Sequence, residues 1–240
     1  MIKAFKAARC KRWLRQRGFK LGAAIHELPK EAVLRLEEGA SIGEVQTAFT
    51  ALSIGAMTYV RSKSELLNVS LIGRFCSIGN AVVIGQERAG HPLSWVSSHP
   101  FQYTGTTLQY SASGQPVEIG HDVWIGREAL IMEGVKVSTG SVIAARSLVT
   151  EDVPPYAIVA GTPARVVRFR HAPELIVRLL DCAWWELPID VLQRLPLDEP
   201  EHFLSMLVES PQHKTAIYKQ VEISRHGCRE LPVGACRASE

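Results

Sequence analysis

Two histidines, eight residues apart, are the side chains in this chain best suited to chemistry at neutral pH. His91 and His99 lie in AGHPLSWVSSHPF, residues 89–101, and His121 follows Gly120 further on. A hydroxyl is a poor nucleophile until its proton is removed as the new bond forms. An imidazole, with a pKa of about 6.5, is largely neutral at pH 7 and can take that proton. It must then be held in one tautomer, usually by a carbonyl or carboxylate on its second nitrogen. An oxyanion formed in such a reaction needs donors, commonly backbone N–H groups. His91, His99 and His121 lack the close pair of ligands a zinc enzyme requires, so no metal is expected. The five cysteines, an odd number without a Cys-x-x-Cys, suggest neither a disulfide framework nor a structural zinc site, and a reducing cytoplasm is the expected compartment.

The elements that must position these residues are announced by a repeat. Leu36, Ile42, Ala48, Ile54, Val60, Leu66, Ile72, Ile78 and Ile84 are spaced by six. Ile119, Ile125, Ile131, Val137, Ile143 and Val149 form a second series. Glycine often follows, as at Gly43, Gly55, Gly73, Gly120 and Gly126, and the residue four places on is often small or aliphatic. Period six does not fit a helix, whose face recurs at three and four residues. It fits a short strand and a turn, three of which close an 18-residue coil of a triangular prism. The glycines are expected where turns need positive φ or close backbone approach. An ordinary β-sandwich would alternate with period two and irregular spacing. This hexapeptide pattern predicts a mainly β fold, a left-handed parallel β-helix, the known exception to right-handed crossovers. The two series differ in phase, so residues 86–118 are an insertion, and both candidate histidines lie in it.

A solenoid exposes unpaired strands at its ends and needs caps. The expected organisation is a basic N-terminal helical segment (1–31), the β-helix (32–171), a helical cap (172–209) and a loose tail (210–240). The helix is expected to carry Ile2, Phe5, Ala8 or Arg9, Trp13 and Leu14 along one side. Trp184 and Trp185 are expected to pack on the end of the prism, His121 to be a solvated turn residue, and Cys228 and Cys236 to be incidental. Composition, with 46% hydrophobic and 21% charged residues, fits a soluble globular protein and argues against disorder. No run of 18 apolar residues or secretory leader is present, which agrees with a cytoplasmic location. Residues 1–20 hold eight Lys or Arg and no acid, leaving 19 basic against 24 acidic residues elsewhere, a net of −5. A nucleic-acid binder usually spreads positive charge over its folded body, so no nucleic-acid partner is expected. The basic segment reads as a cap with a solvated side or, alternatively, as a peripheral contact with anionic lipid at the inner face of the membrane.

Four stretches, LIGRFCSIGNAVVIG (71–85), WVSSHPF (95–101), IGHDVWIGREALIMEGVKV (119–137) and PPYAIVAGTPARVVRFR (154–170), followed by LLDCAWWELPID (179–190), resemble the xenobiotic branch of the hexapeptide acyltransferases. That branch includes chloramphenicol and streptogramin acetyltransferases and is related to sugar O-acetyltransferases. The resemblance covers roughly residues 34 to 195. It implies a homotrimer of parallel prisms with acetyl-CoA in the groove between neighbours. It also implies a long loop carrying a general-base histidine, and direct acetyl transfer to a hydroxyl. The Gly-His-Pro at 90–92 matches the galactoside and maltose branch and puts the base at His91, with His99 structural or substrate-lining. For the coenzyme the resemblance indicates Trp124, Ala145, Thr150, Gly161, Thr162, Pro163, Arg165 and Arg168. Tyr59 and Phe101 are candidates to line the acceptor pocket. The xenobiotic branch has Asn before the histidine and Asp three residues after it; Gly90 and Ser94 stand there and turn the expected acceptor towards a sugar hydroxyl, such as one of a surface polysaccharide or glycolipid. The alternatives are an antibiotic hydroxyl, an amino-sugar nitrogen, or a non-catalytic trimeric scaffold.

Overall fold

With one exception, the aliphatic residues of the repeat enter the interior of a three-sided prism, where each meets its counterpart in the next coil. The computed structural model describes residues 2–112, 114–209 and 214–232, with side chains from residue 5 onwards. On the first face Ile42, Val60, Ile78, Ile125, Ile143 and Val159 are paired in parallel register, strand upon strand. Leu66, Ile84, Ile131 and Val149 stack on the second face. On the third, Leu36, Ile54, Ile72, Ile119 and Val137 do the same. All fifteen of these residues are at most 3% exposed. The three parallel sheets close a left-handed β-helix, and its continuous aliphatic column is the dominant source of stability.

One repeat position departs from the pattern. Ala48 faces solvent, Thr47 pairs with Leu66, and Phe49 is buried instead. The bulkier apolar side chain takes the interior and the alanine turns out.

Of the two reasons for glycine after the repeat residue, close approach operates at Gly43, Gly55, Gly73, Gly120 and Gly126, and among the glycines in this position only Gly85 adds a positive φ. A Cβ on Gly126 would lie 2.4 Å from the Ala145 nitrogen of the next coil. Positive φ falls two residues later, and non-glycine residues such as Phe75, Asp122 and Arg146 adopt it.

The excursion leaves the strand Val83–Gln86 and returns at Val117–Ile119 without disturbing the column: Ile72 still pairs with Ile119 and Ile84 with Ile131. Between these strands the regular structure among the described residues is a single short turn of 3-10 helix, Pro100–Gln102.

The helix α1, Ile2–Arg15, closes the N-terminal end through Ala7, Cys10 and Leu14, which pack with Phe19, Leu21, Ile25 and Leu28. Of the expected apolar side, Leu14 is fully buried and Trp13 partly so, but its N-terminal members are not. Phe5 is 75% exposed and Ala8 and Arg9 face solvent, because two small residues, Ala7 and Cys10, allow a closer approach to the prism. Trp13 is half-buried beneath Arg17, whose guanidinium carbon lies 4.2 Å from its ring. The side chain of Ile2 lies outside the described residues.

The helices Pro173–Asp181, Ile189–Leu192 and Pro200–Glu209 form a second core with Tyr156 through Ile176, Leu179, Leu192, Phe203 and Leu204. Phe75, from a turn of the prism, packs against this second core. Trp184 packs on Phe75 with ring centroids 5.4 Å apart, and Trp185 stacks on His121 at 4.9 Å.

The stretch expected to be a loose tail contains a β-hairpin, Gln220–Ser224 with Gly227–Leu231. Its first strand pairs antiparallel with Val33–Glu37 and protects the edge of the third face. Cys228, expected to be incidental, is bonded to Cys10 of α1. Residues 210–213 and 233–240, including Cys236, lie outside the described residues.

Candidate active site

His91 is exposed on the excursion, and its Nδ1 lies 2.8 Å from the carbonyl oxygen of Ser98. A carbonyl only accepts, so Nδ1 carries the proton and Nε2 presents its lone pair outwards. This is the tautomer lock that a general base requires. His99 is committed differently. Its Nδ1 accepts the N–H of Phe101 at 3.1 Å and caps the short turn that follows. Its proton is therefore on Nε2, and no free lone pair remains.

The excursion is ordered by its own small core. Trp95, Tyr103 and Tyr110 pack against one another with centroids 5.7–5.9 Å apart. Two of the three contacts are edge-on, a favourable geometry for aromatic rings. The Tyr110 hydroxyl reaches the carbonyls of Ala89 (2.6 Å) and His91 (3.0 Å). The Gln102 amide donates to the Ser97 carbonyl and steadies the chain beside Ser98.

Both ends of the excursion are clamped to the prism. Glu133, only 8% exposed, accepts the Arg88 N–H at 2.9 Å and the Asn68 amide at 3.3 Å. Asn68 also donates to the carbonyls of Gly114 and Gln115, where the chain returns. The Arg88 guanidinium donates to the Glu133 and Thr150 carbonyls. One of the coenzyme candidates, Thr150, thus anchors the loop that carries His91. Sequence reasoning missed Tyr110, Asn68, Arg88 and Glu133. The available signal was Glu133, a carboxylate inside the otherwise apolar run of a repeat.

The remaining candidates lie on the prism. Tyr59, Ser77, Trp124, Val142, Ile158 and Arg168 occupy one register row on the first face. At about 4.8 Å per strand, Trp124 is roughly 10 Å from Tyr59 and roughly 14 Å from Arg168 along the row. The Trp124 indole is 59% exposed, and Tyr59 and Phe101 are also exposed. Ala145 is exposed in the turn beside Gly126. Gly161, Thr162 and Pro163 form the exposed turn between the antiparallel strands Ala157–Gly161 and Ala164–Phe169. Arg165 lies 3.5 Å from Glu151 on the surface, where such a pair contributes little. Arg168 extends along the same exposed strand.

A separate polar knot ties the prism to its cap. The Arg74 guanidinium bridges Glu37 (2.7 Å) and Glu186 (2.8 Å), beneath the Tyr218 ring. Burial alone would raise the Glu37 carboxyl, but the hydrogen bond and charge of Arg74 hold it below its ordinary value. His121 belongs to this knot and is not a solvated turn residue. It is half-buried, its Nδ1 accepts the Arg74 N–H at 3.0 Å, and burial with the Arg74 charge pushes its pKa down to about 4. Among the described residues no three His, Cys, Asp or Glu side chains gather as a metal site would require, and no helix is long and apolar enough to cross a membrane.

No family model matches the chain. It is similar to a chloramphenicol acetyltransferase of Escherichia coli, 45% identical over 130 residues, or 51% of this chain and 62% of that protein. It is also similar to a chloramphenicol acetyltransferase of Morganella morganii, 40% identical over 142 residues, or 56% of this chain and 68% of that protein. A solved hexapeptide-repeat-containing acetyltransferase from Vibrio cholerae is 29% identical, with a TM-score of 0.44 over 53% of this chain and 70% of that one. The match to the Escherichia coli protein thus spans less than two thirds of its length. The Morganella morganii relative, matched over more than two thirds of its length, shows together with the repeat and the excursion that the chain belongs to the hexapeptide-repeat acetyltransferases, in the branch that contains the chloramphenicol acetyltransferases.

Proposed function

We propose that this protein transfers the acetyl group of acetyl-CoA to an acceptor hydroxyl, with His91 as the general base. The observation that carries this reading is the hydrogen bond from His91 Nδ1 to the Ser98 carbonyl, which leaves Nε2 exposed and basic. Nε2 takes the hydroxyl proton as the acceptor oxygen forms its bond to the acyl carbon. The carbon–sulfur bond breaks, and the imidazolium returns its proton to the departing thiolate. Acetyl-CoA supplies the thioester. Trp124, Ala145, Thr150 and the Gly161–Thr162–Pro163 turn offer outward-facing contacts for its chain. Arg165 and Arg168 offer charge for its phosphates; Arg165 already shares Glu151. His91→Ala should lower turnover about 10²–10⁴-fold while coenzyme binding is kept. A variant with wild-type turnover would remove His91 from the role.

The acceptor we infer is a sugar hydroxyl, since Gly90 and Ser94 replace the residues that flank the histidine in the xenobiotic branch. The chloramphenicol acetyltransferase relatives favour a second reading, an antibiotic hydroxyl. Thiol release from acetyl-CoA, measured against oligosaccharides, nucleotide sugars and chloramphenicol, separates the two. Faster release with chloramphenicol than with any sugar would reverse the order.

The assembly we infer is a homotrimer with sites between subunits, which calls for a sedimentation mass three times the 26.5 kDa of the chain. A monomer mass would exclude it. The solvated side of α1 supports a further partner, an anionic membrane surface. α1 contains no acid, and Lys6, Arg9, Arg12 and Arg15 face solvent with Phe5. Each cation near an anionic leaflet contributes about 1 kcal/mol. The protein should therefore sediment with anionic vesicles and be released when these four residues become Gln. Equal sedimentation of both proteins would leave α1 a cap only.

A further inference from the structure

His91 follows a glycine. Gly90 has the widest backbone freedom of any residue type, so on its own it would be a hinge directly before the catalytic ring. Beyond His91 the chain is restrained, since Pro92 fixes its own φ and is buried. What stops the hinge is on the far side of the excursion. The Tyr110 hydroxyl lies within hydrogen-bond distance of the carbonyls of Ala89 and His91, one on each side of Gly90. A single O–H shared between these two acceptors bridges the glycine from carbonyl to carbonyl. The Tyr110 ring is itself fixed by Trp95 and Tyr103. No regular secondary structure holds this segment, so these contacts carry its order.

We propose that Tyr110 is a positioning residue for the transfer reaction, fixing the backbone at Gly90 so that His91 presents Nε2 in one direction. This rests on the assignment of His91 as the base. The two bonds to the His91 residue divide the work. The Ser98 carbonyl sets which ring nitrogen carries the proton, and the Tyr110 hydroxyl sets where the ring's backbone stands. Loss of the hydroxyl alone leaves the tautomer of the ring in place and releases its position. Small misplacements of a catalytic group cost large factors in rate.

The test is Tyr110→Phe, which removes one oxygen and keeps the ring. We expect kcat to fall about 10- to 100-fold, with KM for acetyl-CoA and the acid limb of the pH profile unchanged. Among the described residues this hydroxyl bonds only to the carbonyls of Ala89 and His91 and not to the prism, so the thermal midpoint should stay at the wild-type value. Tyr103→Phe is the control. It belongs to the same ring cluster, but its hydroxyl makes no hydrogen bond among the described residues, and it should retain wild-type kcat. Equal losses in Tyr110→Phe and Tyr103→Phe would assign the effect to ring packing and overturn the proposal. Wild-type kcat in Tyr110→Phe would also overturn it. Such a result beside an inactive His91→Ala removes the Tyr110 role and leaves the base assignment standing. If His91→Ala is itself fully active, the base assignment falls and this proposal falls with it.

Discussion

At the scale of single residues, the structure separates three histidines that look alike in sequence by what each ring nitrogen touches. His91 donates from Nδ1 to a carbonyl and keeps Nε2 free. His99 spends its lone pair on a backbone N–H. His121 does the same inside the polar knot, where burial makes the charged form costly. The last of these has a consequence for stability. In the folded state His121 titrates at about 4, against an ordinary value of 6.5 in the unfolded chain. Between these pH values the unfolded chain binds more protons, so stability is full above about pH 6.5 and is lost as pH falls towards 4. The loss is on the order of 3 kcal/mol. Glu37 adds acid sensitivity of the same sign, but only in the carboxylate range, because Arg74 lowers it from 4.5. His121→Asn keeps an acceptor for the Arg74 N–H and removes the proton site. Urea midpoints at pH 7, 5.5 and 4.5 should decline less in this variant than in wild type. Parallel declines would show that the knot does not hold His121 neutral.

At the scale of elements, legibility follows periodicity. The prism was readable because each coil repeats the same burial problem, and its solution recurs in Ile42, Val60, Ile78 and their successors. Ala48 was misread because it fits the spacing, whereas the choice between it and Phe49 depends on volume. The excursion has no period, so the ring cluster around Tyr110 and the clamp at Asn68 and Glu133 left little trace in the sequence. The proposed base, His91, is marked in the sequence by Gly-His-Pro. The carbonyl that sets its tautomer was not, because backbone atoms carry no residue identity. The C-terminal hairpin did leave a signal. Val221 and Ile223 alternate with Gln220, Glu222 and Ser224, and the two aliphatic residues are fully buried. Five residues of period two were outweighed by the polarity of the flanking segments. In α1 the aromatic residues suggested the buried side, and the small ones made it.

At the scale of the whole molecule, the two ends of the chain are fastened to each other. Cys10 of α1 and Cys228 of the hairpin are bonded across 218 residues of sequence, and Arg17 pairs with Glu230 beside them. The expectation of a chain without disulfides is therefore corrected, for a physical reason. The hairpin pairs with Val33–Glu37 and so runs past the coil that α1 closes, which brings two distant cysteines together. A cross-link closing so long a loop removes conformational freedom chiefly from the unfolded chain and stabilises the fold by about 2–5 kcal/mol. In a protein of this size that corresponds to roughly 5–15 °C in Tm. Under non-reducing conditions a tryptic digest should contain the Cys10 peptide joined to the Cys228 peptide. Reductant should lower the Tm of wild type by that amount and leave a Cys10→Ser, Cys228→Ser double variant unmoved. The buried Cys76 thiol, pushed up to about 12, should react only on unfolding. If Cys10 and Cys228 are both alkylated in the folded protein before any reductant is added, the two ends are held by packing and by the Arg17–Glu230 pair alone, and reductant should then leave Tm unchanged.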